Sequence, residues 1–378
     1  MLAERKLIID TTSDVYAVLK PWAAAEFWDF ASHEPVPDSV YVIGRKQFTD
    51  NVARVKDLCQ DPRFTIVFDN VAEGSETLVR QIGMLDIGEQ VRRAQILVLS
   101  GGPMLPEYPS LVYDHFLSVI FDYQDNHTAI TRTPEIFSKK SKPHSFLFLN
   151  GRSRPHRRYL IESLRSRQLL DRALWTNLDS RPAPSADLSF MQNGQDLLCT
   201  TSELKLLPSN YEPDQFRNVD INTGNTSCKF IKTDLFNNLW GEIYLEPTAY
   251  TDTYFSLVTE TVYNNANSFR TEKIAKPIAM AHPFIVAANP GFYRDLRNLG
   301  FQTFDHLIDE SFDTIENHQD RMNRLADLVQ NVVQLDLEAF VIAAEDVCKY
   351  NQQHLLGFAD SVRGEFPDRF FNFLNNNE

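Results

Sequence analysis

The chain has 378 residues, too many for one small module and, at about 150 residues per domain, enough for two. Hydrophobic residues at 43%, with 27 Phe and 13 Tyr, supply a large core and exclude a mainly disordered chain. A net charge of −14 repels phosphate backbones and anionic lipid, so any bound anion must be met by a local basic site.

The first half alternates short β-branched or aromatic runs with polar, helix-compatible stretches. The runs are Lys6–Asp10, Ser39–Gly44, Phe64–Asn70 and residues 95–102, with 117–123 as a fifth. Continuous apolar strands separated by helices predict a parallel sheet covered on both faces, with ligand chemistry beyond the carboxyl ends of the strands. Residues 131–144, with two prolines and three lysines, read as a linker. The rhythm then restarts with a strand at 145–151, a helix, and a strand at 173–177. An irregular stretch follows from 179 to 213, then strands at 240–246, 254–260 and 283–289, with a short one at 301–304. From 317 to 374 the pattern is helical, with Leu325, Leu328, Val329, Val332 and Val333 on one stripe. Four cysteines (Cys59, Cys199, Cys228, Cys348) without C-x-x-C spacing fit a reducing compartment and argue against a zinc site. No apolar run approaches eighteen residues and no export signal opens the chain, so the expectation is a cytoplasmic protein without a membrane span.

Two segments carry chemistry. In Asn150-Gly151-Arg152-Ser153-Arg154-Pro155-His156-Arg157-Arg158, four arginines and a histidine follow a strand and open a helix, with no acid among them. A helix start offers free N–H groups, Pro155 suits its first turn, and guanidinium forks match phosphate oxygens. The same run also reads as a solvated basic helix start. The second segment is Phe269-Arg270-Thr271-Glu272-Lys273-Ile274-Ala275-Lys276-Pro277-Ile278. Thr271 is a candidate N-cap, Ile274 and Ile278 face the core, and Pro277 should kink the helix. Glu272 can accept from a ribose diol while Lys273 meets a phosphate; the plainer alternative is a capping acid beside a solvent-facing lysine. His282, between Ala281 and Pro283, reads as a hydrogen-bonded turn residue.

The span YFSLVTETVYNNANSFRTEKIAKPIAMAHPFIVAANPGFYRDLRNLGFQTF resembles the nucleotide-sugar half of GT-B glycosyltransferases, in particular the fucosyltransferase-like and exostosin-like groups. The segment FLFLNGRSRPHR is similar to the strand-turn-helix that opens that domain. The resemblance implies an α/β GT-B fold. It has two Rossmann-like domains facing a cleft, an N-terminal acceptor domain at 1–140 and a donor domain at 141–350. A C-terminal helix at 351–378 packs back on the first domain. It also implies that Glu272 holds the donor ribose, that Lys273 meets the phosphates, and that Arg157 lies across the diphosphate, with Arg152 and Arg154 as competitors. Thr259, Glu260 and Asn267 would line the sugar or base pocket beside Thr271. Where the family carries small residues and glycine, this chain has Ala281-His282-Pro283.

The activity implied is sugar transfer from a nucleoside diphosphate to a hydroxyl acceptor. Fixed cations aimed at the departing diphosphate stabilise the transition state more than the ground state. No Asp lies two residues from another, so the D-x-D metal clamp is missing; metal-independent transfer with no cofactor beyond the nucleotide-sugar co-substrate is expected. An inverting enzyme needs a general base, and Glu73 and Asp69, after the third strand, are the candidates, with Asp10 and His115 as rivals. The acceptor is expected to be a glycan or another hydroxyl compound, DNA being disfavoured by the acidic composition, in a bacterial or viral setting. The alternatives are an inactive nucleotide-binding scaffold of the same fold, another phosphate-handling α/β enzyme, and a transferase acting on hydroxymethylated DNA bases.

Overall fold

The structure, a computed structural model, describes residues 5–72, 82–83, 96–102, 108–122, 124–150, 154–177, 244–264 and 268–377. It divides into two compact units: residues 1–118 with 358–378, and residues 119–357. Both are α/β with parallel sheets.

Unit 1 holds a six-stranded parallel sheet in the order β2-β1-β3-β4-β5-β6. Its strands are β1 (Lys6–Asp10), β2 (Ala25–Phe27), β3 (Ser39–Gly44), β4 (Phe64–Asn70), β5 (Ile96–Ser100) and β6 (Ser110–Val112). Helices α1 (Tyr16–Leu19), α2 (Arg45–Asp50), α3 (Val52–Gln60) and α4 (His115–Val119) belong to the same chain order. The period of two sorts the strand residues onto two faces. Ile8, Tyr41, Ile43, Ile66, Phe68, Ile96 and Val98 join one core cluster with Phe48 and Val55. Leu7, Ile9, Val40, Val42, Val67, Leu97 and Leu99 join the other with Phe366, Phe370 and Leu374. A sheet buried on both faces explains why its strands read as unbroken apolar runs.

Unit 2 holds a four-stranded parallel sheet in the order β10-β9-β7-β8. The strands are β7 (His144–Phe148), β8 (Ala173–Trp175), β9 (Thr253–Thr259) and β10 (Phe284–Ala287). In register Phe146 faces Ala173 on one side and Phe255 on the other, and Ser256 faces Phe284. Its helices are α5 (Gln124–Ala129), α6 (Thr133–Ser138), α7 (Pro155–Ser166), α8 (Pro247–Thr251), α9 (Glu272–Ala279), α10 (Phe292–Asn298) and α11 (His318–Val333). A final helix, α12 (Leu337–Asn375), contributes residues up to Gly357 to unit 2 and the rest to unit 1. The expected stripe on α11, Leu325 to Val333, is buried.

Several local expectations fail for identifiable reasons. Of 117–123, the described residues 117–122 form no strand; α4 covers Leu117, and the sheet is completed by the three-residue β6 instead. Leu117, Ile120 and Phe121 are buried, and an apolar run this short does not distinguish strand from buried helix. The expected linker contains α6, because Pro134 fits a first helical turn. The units divide after Ser118 rather than near 140, since residues 124–139 bond within unit 2: Asn126 Oδ1 accepts from Leu245 N at 3.0 Å, and Lys139 pairs with Asp252. Residues 301–304 are not a strand. Asn351 takes both the N–H and the C=O of Gln302, replacing a ladder, while Phe301 and Phe304 are buried. Of 240–246, the described residues 244–246 belong to no strand and lead into α8.

Candidate functional site

In unit 2 the order of strands reverses between β7 and β9, the point at which a parallel sheet leaves a crevice at its carboxyl edge. Three polar side chains tie that edge together. Asn150, just past β7, donates its backbone N–H to Thr176 Oγ1 at 2.7 Å, and Thr176 Oγ1 donates back to the Asn150 carbonyl at 3.0 Å. Thr259, the last residue of β9, donates its hydroxyl to Asn150 Oδ1 at 2.8 Å. The Asn150 amide nitrogen is buried with no hydrogen-bond partner among the described residues. An amide donor left in that state costs about 1–3 kcal/mol unless something else accepts from it.

Helix α7 starts at the same edge. Arg154 is its N-cap in extended geometry and Pro155 occupies the first turn, so the helix opens as the sequence predicts. Unlike a solvated basic run, His156, Arg157 and Arg158 are buried. Arg157 Nη2 lies 3.3 Å from the Thr259 carbonyl and 3.4 Å from that of Glu260. His156 Nε2 donates to the Glu260 carbonyl at 3.0 Å. The imidazole lies parallel to the Tyr263 ring, with centroids 5.4 Å apart.

Helix α9 follows β9 in the chain and packs against it. Thr271 is its N-cap as expected, with Oγ1 accepting from Lys273 N at 3.3 Å. Thr271 also donates N–H and hydroxyl to the two Glu260 carboxylate oxygens, at 3.2 and 2.6 Å. Lys273 Nζ reaches Thr261 Oγ1 at 3.1 Å and Thr271 Oγ1 at 3.3 Å, and pairs directly with Glu272. Ile274 and Ile278 face the core. Pro277 lies inside the helix, which ends two residues later in a turn where His282 N bonds to the Pro277 carbonyl and Ala281 takes a left-handed φ of 48°.

The electrostatics follow from burial. Glu260 is fully buried, which pushes its carboxyl above the usual range against the opposing pull of Lys273 and Thr271. Burial acts on Glu272 in the same sense, but Lys273 beside it and Lys276 outweigh it and hold that carboxyl below its ordinary value. His156 is driven well below the ordinary histidine range by burial first, then by Arg157, Arg154 and Lys273. Those three cations therefore act on one buried ring although they come from two distant parts of the sequence.

Of the expected donor residues, Arg154, Arg157, Thr259, Glu260, Thr271, Glu272 and Lys273 thus gather at the carboxyl edge of β7 and β9. Glu260 contributes its carboxylate to Thr271 rather than to an open pocket. Arg152 and Asn267 lie outside the described residues. Sequence reasoning missed His156 as an individual, although it stands inside the basic motif. It also missed Tyr263 and Arg321. Arg321, on α11, is fully buried without a carboxylate partner among the hydrogen bonds described; its guanidinium lies 4.4 Å from the Tyr263 ring centroid and donates to the carbonyls of Tyr263, Ala288 and Ile315. Nothing in a helical stripe marks which arginine will be buried.

In unit 1 the same kind of edge is closed by acids. Asp10, ending β1, accepts from Thr12 N at 2.8 Å and from Gly44 N, ending β3, at 3.1 Å. A Cβ at residue 44 would stand 3.0 Å from Asp10 Oδ2 and 3.2 Å from Ser13 backbone, so a larger residue there would have to push these neighbours back by a few tenths of an ångström. Asp69 accepts from Ser13 Oγ at 2.5 Å, Val15 N at 3.2 Å and Val71 N at 3.2 Å. Burial raises the carboxyl of each. Asp69 is thereby a clamp for two loops, with both oxygens engaged, while Glu73 lies outside the described residues. His115 is buried with neither ring nitrogen hydrogen-bonded, and burial, then Arg363, brings it down to about 4.

Among the described residues no group of His, Cys, Asp and Glu is arranged to hold a metal ion, and no helix is long and apolar enough to cross a membrane. No family model, curated protein or solved structure matches this chain, so the meaning of the site rests on its own geometry.

Proposed function

We propose that the chain is a glycosyltransferase of the GT-B kind, moving a sugar from a nucleoside-diphosphate sugar to a hydroxyl acceptor without a metal ion. The observation that carries this reading is the gathering of Arg154, Arg157 and Lys273 around His156 at the β7–β9 edge of unit 2, beside the start of α7. A phosphate group at a helix start, faced by guanidinium and ammonium groups, is stabilised by free N–H donors, dipole and charge together. The unpartnered Asn150 amide adds a neutral donor. In this reading Glu272, held ionised by Lys273, accepts from the ribose hydroxyls.

The transfer breaks the bond from the anomeric carbon to the diphosphate oxygen, and the electron pair leaves with the oxygen. The acceptor oxygen bonds to that carbon and its proton passes to a general base. Glu73 is the proposed base; Asp69 is committed to Ser13, Val15 and Val71. Arg157 and Lys273 oppose the charge growing on the diphosphate. Removing one such donor costs about 2.7–4 kcal/mol of barrier, or 10²–10³ in turnover.

Thermal unfolding with UDP, GDP and their sugars tests the reading. A ligand at about one hundred times its Kd should add about 2.7 kcal/mol, and Arg157→Ala or Lys273→Ala should remove most of it. A stabilising ligand that is neither transferred nor hydrolysed would make the chain a nucleotide-binding scaffold. Absence of any shift across the panel would sink the reading.

A further inference from the structure

Among the described residues of the site, His156 carries chemistry that the transfer does not use. Its ring is wholly buried, one nitrogen donates to the Glu260 carbonyl, and the other, Nδ1, has no hydrogen-bond partner among the described residues. The Nε2–H bond fixes the neutral tautomer with a bare lone pair on Nδ1. The charges of Arg157 in α7, Arg154 at its N-cap and Lys273 in α9 act on it. Tyr263, from the turn after β9, covers one face of the ring, itself under Arg321 and beside His318 of α11. The nearby carboxyls are engaged elsewhere, Glu260 with Thr271 and Glu272 with Lys273. A neutral imidazole lies under the influence of cations with an acceptor atom that no described neighbour uses.

We propose that His156 is a proton-taking ligand of the anion that this site binds: as a diphosphate enters, Nδ1 takes one proton from solvent and the new N–H donates to a phosphate oxygen. The inference rests on the nucleotide-sugar reading above and deepens it. Before an anion binds, the three cations oppose a fourth positive charge on the ring. A diphosphate diester brings two negative charges against the same groups, which reverses the field at the ring and supplies the acceptor that Nδ1–H needs. No bond other than N–H forms, and the proton comes from water or buffer. The consequence is selectivity: two negative charges are needed to hold the imidazolium, so a neutral or singly charged sugar derivative gains nothing from it. By linkage, affinity rises as pH falls, approaching tenfold per pH unit where a full proton is taken up.

The test is titration calorimetry of the full chain with UDP-glucose, GDP-mannose and ADP-ribose, whose diphosphate diesters do not themselves titrate near neutrality. Each is run in buffers of different ionisation enthalpy at about pH 8, 7 and 6. The expected result is proton uptake near zero at the highest pH and rising toward one at the lowest, lost in His156→Gln, which keeps an N–H donor for Glu260 but cannot titrate. Should that variant fail to fold, the imidazole resonances of the wild-type protein, followed by NMR with and without ligand, report the same protonation. Binding with no buffer dependence at any pH overturns the proposal and leaves the nucleotide-sugar reading standing. Failure of all three ligands to bind overturns both.

Discussion

Ala281 holds a conformation that its side chain disfavours. It follows α9 with φ of 48°, and the bonds from His282 N to Pro277 O and from Ala281 N to Ile278 O are those of a Schellman cap, whose left-handed residue is normally glycine. A Cβ in that region costs about 1–2 kcal/mol, part of which is returned to the unfolded chain when glycine replaces alanine. Ala281→Gly should therefore raise stability by about 0.5–1 kcal/mol in urea unfolding, and a loss would show that the methyl packs usefully in its buried site. The next residue sets a pH response. His282 is wholly buried, with Nδ1 against Ser256 Oγ and Nε2 on the Thr253 carbonyl, both 2.9 Å. Burial, helped by Lys142, lowers it to about 3 from 6.5, so it is neutral in the folded chain and basic in the unfolded one. A depressed folded value contributes stability that is full above 6.5 and is lost as pH falls toward 3. From about pH 7 to about pH 4.5 the advantage of wild type over His282→Gln should shrink by about 2.5 kcal/mol. A constant difference across that range would refute the assignment.

At the scale of elements, α9 depends on one side chain at its start. Thr271 caps the helix and donates twice to the buried Glu260, so Thr271→Ala removes a cap and takes the hydroxyl away from a buried carboxyl. The expected cost is about 1–2 kcal/mol, with Thr271→Ser recovering most of it; equal losses in both variants would mean that packing of the methyl, not the hydroxyl, matters. The end of α12 is a second case. Phe366 is fully buried with its ring 4.5 Å from that of Tyr113, and Phe366→Ala should cost unit 1 about 3–5 kcal/mol, read by the near-ultraviolet signal on unfolding. How far the sequence reveals such elements depends on how much of the outcome is local. Strands β1, β3 and β4 begin and end where their apolar runs do, and Thr271 is recognisable as a cap, because both facts depend on neighbours in the chain. Strands β2 and β6, three residues each, carry no period to detect and exist because a longer strand lies beside them. The stretch 301–304 carries a strand pattern, yet its backbone is satisfied by Asn351, far along the chain. The site shows the same division. Arg157 and Lys273 announce themselves as charge in an acidic chain, whereas the bare nitrogen of His156 and the buried Arg321 are products of packing.

For the whole molecule the decisive contrast is between a net charge of −14 and a site built from cations. An anionic donor approaching from solution meets the field of the whole surface before it meets Arg157 and Lys273. At about 0.01 M salt the Debye length is about 30 Å, comparable to the size of a domain, and the summed negative charge acts at full range. At about 0.15 M it shrinks to about 8 Å, so the distant carboxylates are screened while contacts inside the site, made at hydrogen-bond range, are much less affected. Stopped-flow association of a fluorescent nucleotide sugar should therefore speed up as salt rises between those two concentrations, the reverse of the behaviour of enzymes that steer their substrates through a basic funnel. The dissociation rate should increase over the same interval, since screening also weakens the residual attraction within the site. The two changes oppose each other in the equilibrium constant, which is why the rates must be measured separately. An association rate that falls with salt would mean that the basic edge of unit 2 governs the approach, overriding the rest of the surface.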